Sequence, residues 1–149
     1  MAQSIKHQLF FPHPAESVWE YLTNPELMEL WLMKSDFRPV VGHEFQFRTR
    51  PKPELNFDGI FYCRVLEVVS FKKLSYSWKC GPGDGSITID SVVVWKLQPK
   101  DKGTELILDH GFAVMGNLLL FDGMNVGWLQ NMNKIAERLN TEKHGTTNA

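Results

Sequence analysis

At 149 residues, with 43% hydrophobic and 22% charged side chains, the chain has the size and composition of one globular domain and not of a disordered segment. A formal charge of -1 and a pI near 6.5 leave no basic surface for nucleic acid and little attraction to an anionic membrane. These values point to neutral small molecules or other proteins as partners.

The first segment, Ile5 to Phe11, alternates apolar and polar residues as a half-buried strand does. Pro12 and Pro14 end it, and Pro14 suits the first turn of a helix carrying Val18, Trp19 and Leu22 inward. Asn24-Pro25-Glu26 restarts the chain: Asn is a good N-cap and Pro a good first helical residue. Leu27, Leu30, Trp31 and Met33 follow at roughly helical spacing.

Beyond Asp36 the period changes to two. Strands are predicted at Phe45–Thr49, Gly59–Val69, Lys73–Cys80, Ile87–Leu97 and Thr104–Phe112. Short turn-rich connectors, Gly81 to Gly85 and Pro99 to Gly103, join them into an antiparallel meander. Between about Asn117 and Asn140, Phe121, Met124, Trp128, Met132, Ile135 and Leu139 fall on one stripe of a long helix. The reading is therefore one α+β domain over residues 1–140, with a polar, flexible tail at 141–149. A twisted sheet of about six or seven strands wraps the final helix and leaves a cavity where the helix begins.

The strand and helix marks together resemble the helix-grip superfamily, which includes START domains, polyketide cyclases and birch-pollen-type allergens. The nearest likeness is to the family named after the activator of the heat-shock ATPase. Pro14 to Trp19, Thr23 to Leu27 ahead of Trp31, Gly59, Gly81 to Trp95, and Gly127-Trp128 before Leu129, Met132 and Ile135 carry it. That family usually has a second tryptophan beside the position of Trp31, and here Leu32 stands there. The resemblance implies the helix-grip fold and a ligand-sized pocket, but no particular reaction.

Five Trp and ten Phe exceed what a minimal core requires, and rigid aromatic groups line cavities as readily as they fill cores. The candidate ligand-binding residues are Trp31, Phe47, Tyr76, Trp78, Trp95, His110, Phe121, Met124 and Trp128. His110, turned inward with Tyr76, Tyr62 or His7, is a candidate acid, base or carbonyl anchor, against the simpler role of a hydrogen-bonded core histidine. Asp109 beside it points to the opposite face of the strand, with Asp90 as its expected cross-strand neighbour. Gly123 and Gly127 lie beside the apolar stripe and cost about 1 kcal/mol each relative to Ala. Either the sheet backbone comes close there, or a ligand needs the room.

No motif calls for a metal or an organic cofactor, and no convergent catalytic set is apparent. Cys63 and Cys80 lie in apolar strand-like runs without metal-ligand spacing, and read as buried free thiols in a reducing cytoplasm. No run is long enough to insert into a membrane. The expected function is binding of a small hydrophobic or amphipathic molecule in the cavity. The alternatives are a cyclase- or hydratase-type enzyme using the same pocket, and a chaperone-partner module using exposed Leu119 and Val126. Homodimerisation through an exposed edge strand is a further expectation.

Overall fold

A computed structural model describes residues 3–148, with side chains as far as residue 141. The chain opens with strand β1, Gln3–Phe11, followed by the short helices α1, Ala15–Thr23, and α2, Pro25–Trp31. Strands β2, Glu44–Arg48, β3, Ile60–Val69, β4, Lys73–Cys80, β5, Ile89–Lys100, and β6, Gly103–Met115, precede the long helix α3, Leu118–Asn148. The helical backbone of α3 runs into the stretch expected to be a polar tail.

The boundaries follow from local chemistry. Helix α1 starts at Ala15, one residue later than expected, because Pro14 takes the N-cap in extended backbone while its carbonyl accepts from Ser17 and Val18. At α2, Asn24 Oδ1 accepts from the Glu26 N–H at 2.9 Å and Pro25 fills the first helical position. Asn117 plays the same part for α3, where its Oδ1 accepts from Leu119 N at 2.9 Å and Leu120 N at 3.2 Å.

One antiparallel sheet of six strands has the order β1-β6-β5-β4-β3-β2. The β5–β6 hairpin is longer than its sequence suggests. A turn of Asp101 and Lys102, with φ of 46° and 64°, closes it, where a connector from Pro99 to Gly103 was expected. Pro99 is tolerated in β5 because β4 reaches only to the level of Lys96, so no neighbour on that side needs the missing N–H. This tight turn also sets a register that separates the two carboxylates expected to pair. Asp109 lies opposite Val94, and Asp90, displaced by a bulge, lies opposite Val114. A second bulge between Val65 and Glu67 adds to the curvature that cups the sheet.

Alternation then sorts the side chains. On β5, Ile89, Ser91, Val93, Trp95 and Leu97 all face the interior. Helix α3 lays Trp128, Met132, Ile135 and Leu139 into that concave face, as its periodicity requires. All five tryptophans are buried. Gly59 is needed for the backbone itself: its φ is +87°, and a Cβ there would stand 2.7 Å from the Thr49 carbonyl.

Candidate functional site

The first turns of α3 and the β2–β4 end of the sheet do not close on each other. Between them is a cavity of about 350 Å³, within the range of small-molecule sites. Its walls are Leu32 and Met33 after α2, Leu55, Phe57 and Phe61, Trp78 on β4, and Leu119, Leu120, Met124 and Trp128 on α3. Thr49, Arg50, Lys52 and Asn131 supply its polar groups. Among the described residues, no aspartate or glutamate lines it.

Gly123 and Gly127 complete the helix side of the wall. A Cβ built on either meets nothing within 4 Å. Close approach of the sheet backbone, one of the two explanations open from the sequence, is therefore excluded. Both glycines face open space.

Of the expected site residues, Trp78, Met124 and Trp128 come together on the cavity wall. The others lie elsewhere. Trp31 is buried, with its Nε1 donating to the Tyr21 carbonyl at 2.7 Å and its ring edge-on to Trp95. Phe47 is buried against Trp78, with ring centroids 5.4 Å apart. Trp95 donates from Nε1 to the Tyr76 hydroxyl at 3.0 Å, and both rings are enclosed. Burial pushes the Tyr76 pKa above the usual tyrosine range. Phe121 is half-buried edge-on against Phe112. Tyr62 is exposed and donates to Asp58 Oδ2, and His7 bonds the Asn125 carbonyl at the start of α3.

His110 is fully enclosed, and its hydrogen bonds fix its tautomer. The Trp128 indole can only donate, so His110 Nδ1 accepts from it at 3.0 Å. His110 Nε2 must then carry the proton and donate to Ser91 Oγ at 2.8 Å. The Ser91 hydroxyl passes its own hydrogen to the Trp78 carbonyl at 2.6 Å. Burial lowers the His110 pKa to about 3, because a charged imidazolium would lose its hydration. A second proton would also have to enter against the Trp128 N–H. Both ring nitrogens are occupied, and His110 does not line the cavity.

Among the cavity residues not expected at the site are Leu32, Met33, Leu55, Phe57, Phe61 and the rim residues Thr49, Arg50 and Lys52. They come from the connectors flanking β2 and from the start of β3, where no regular spacing announces which way a side chain points. A second hollow of about 700 Å³ lies along edge strand β2, lined by Lys34, Ser35, Asp36, Glu44, Phe45, Gln46, Arg48, Tyr62 and Cys63. It is larger, but its wall carries both cations and carboxylates along a sheet edge. The aromatic cavity under α3 has the better character for holding an apolar molecule.

Among the described residues, no cluster of His, Cys, Asp or Glu could hold a metal ion, and no helix is long and apolar enough to cross a membrane. Cys63 and Cys80 are buried and free.

A cupped antiparallel sheet closed over one long helix, with a cavity at the helix start, defines a helix-grip domain. The model of the Activator of Hsp90 ATPase homolog 1-like family matches residues 12–140, and the chain belongs to that family. It is similar to protein MLL2253 of Mesorhizobium loti, at 32% identity over 93% of this chain and 98% of that one, with a TM-score of 0.81. CalU16 from Micromonospora echinospora shares the fold at 21% identity and TM-score 0.71, over 96% of this chain and 80% of that one. DynU16, from the dynemicin biosynthetic locus, does so at 20% identity and TM-score 0.73, over 93% of this chain and 48% of that one. None of the curated proteins matches the chain. Family and fold are compatible with ligand binding and leave the ligand open.

Proposed function

We propose that this protein binds a small apolar or amphipathic molecule in the cavity between the first turns of α3 and the β2–β4 end of the sheet. The observation that carries this reading is the pair Gly123 and Gly127. Each weakens a helix interior by about 1 kcal/mol relative to Ala, and neither is required by a close neighbour or a positive φ. Both open onto one apolar hollow. Space kept open at a cost in stability, beneath Trp78, Trp128 and Met124, is best explained by an occupant. Met124 lends the wall an adaptable surface, and the aromatic rings a rigid one.

A cyclase- or hydratase-type reaction in the same cavity has less support. His110 and Tyr76, the groups it would use, are held in core hydrogen bonds and line no part of the hollow.

The test is native mass spectrometry of the purified protein, followed by extraction and identification of what it carries, beside the variants Gly123→Leu and Gly127→Leu. A bound apolar molecule that both variants lose is the expected result. Retention of the same molecule by both variants would refute the reading.

A further inference from the structure

Among its described lining residues the cavity offers hydrogen-bond donors and no carboxylate. Three tryptophans of the core have partners for their indole N–H: Trp31 on Tyr21, Trp95 on Tyr76 and Trp128 on His110. Among the described residues, Trp78 Nε1 is the buried side-chain nitrogen or oxygen left without a partner. Trp78 is 2% exposed, and its ring lines the cavity. An indole nitrogen donates only, so only an acceptor atom can satisfy it. Leaving a buried donor unmet is unfavourable, and native structures rarely do so without a reason.

A second, independent feature lies at the mouth. Arg50 and Lys52 line the cavity, both are exposed, and neither belongs to the ion pairs of the described residues, Lys73 with Glu67 and Lys100 with Glu105. The acidic residues nearest in sequence, Glu54, Asp58 and Asp122, line no part of it. The charged side chains that line the opening are therefore both cationic, although the whole chain carries a formal charge of -1.

Resting on the binding role proposed above, we infer that the ligand class is a small hydrophobic carboxylic acid. Its apolar, ring-bearing body lies among Phe57, Phe61, Trp78 and Trp128, an oxygen acceptor meets the Trp78 N–H, and its negative charge is favoured by Arg50 and Lys52. Amines of the same body are excluded, because they bring a donor to a donor and a cation to cations.

Three probes with one ring system separate the terms: naphthalene-2-acetate, naphthalene-2-acetamide and 2-(2-naphthyl)ethylamine, measured by calorimetric titration. The acid is expected to bind roughly three- to tenfold more tightly than the amide at low salt, the size of one or two exposed charge pairs. That preference falls toward unity near 1 M salt, where the screening length is only about 3 Å. The amine binds weakly or not at all. The double variant Arg50→Met/Lys52→Met, a surface change, removes the acid's preference over the amide. Trp78→Phe weakens acid and amide alike by roughly fivefold, the worth of one hydrogen bond, and leaves their ratio unchanged.

Equal binding of acid and amide, or binding of the amine as tight as the acid's, overturns the carboxylate assignment. If that binding is still lost in Gly127→Leu, the cavity role survives. Binding of no probe at all, or binding indifferent to Gly127→Leu, overturns both.

Discussion

His110 makes the stability of this fold depend on pH in a calculable way. Its folded-state pKa is lowered to about 3, chiefly by burial, whereas an exposed imidazole titrates near 6.5. Below about pH 6.5 the unfolded chain takes up a proton that the folded chain refuses, so acid favours unfolding. The contribution is fully present above that value and is lost as pH falls from about 6.5 toward about 3. Each pH unit inside that window is worth about 1.4 kcal/mol, so the step from pH 7 to pH 5 removes about 2 kcal/mol. The assay is urea unfolding at both values, on the wild type and on His110→Phe. The variant loses the hydrogen bonds to Trp128 and Ser91 and is less stable at either pH. Comparing the pH-induced loss within each protein cancels that offset, and cancels the other titrating groups as well. His110→Phe is expected to lose about 2 kcal/mol less than the wild type over this interval. Equal losses would refute the assignment of a buried neutral imidazole.

Gly123→Ala and Gly127→Ala each place a methyl group in open space, so each should raise stability by up to about 1 kcal/mol. Thermal melts would record this as a Tm raised by a few degrees. Asn117→Ala removes the acceptor that caps the first turn of α3, at a cost of about 1 kcal/mol in chemical denaturation. Cys63 and Cys80 are buried, and burial pushes the Cys80 thiol up to about 12. Both should resist a disulfide-exchange reagent in the native protein and react at the rate of unfolding, whereas rapid native labelling would contradict their placement.

Much of the architecture was legible because each element is written in a strict period or bounded by an unambiguous cap. The stripe from Phe121 to Leu139 fixes the buried face of α3, and Asn24-Pro25 fixes the start of α2. The site was less legible, because an aromatic residue at a core-facing position can pack or line, and periodicity is the same for both. Trp78 and Trp95 both face inward from adjacent strands, yet one borders the cavity and the other is sealed by Tyr76. Which of them does which depends on the spacing between α3 and the sheet, and no local pattern encodes that. The length of the Asp101–Lys102 turn was similarly hidden, since Pro99 argues locally against the strand that the chain nevertheless forms.

The position of β1 in the sheet has a consequence in time. It pairs along its whole length with β6, Phe11 opposite Thr104 and Gln3 opposite Phe112. Strands β3 to β6 can zip as successive hairpins while the chain is being made, but β1 has to wait for its one neighbour. At 5–20 residues per second, the roughly ninety residues between Phe11 and Thr104 take on the order of 5 to 20 seconds to synthesise. Throughout that interval Ile5 and Phe11, fully enclosed in the finished molecule, have no sheet to join. Closing so long a loop is a non-local step of the kind that slows folding. Although made before the other five strands of its sheet, β1 is thus among the last to dock, and the newborn chain must stay soluble with that edge unpaired.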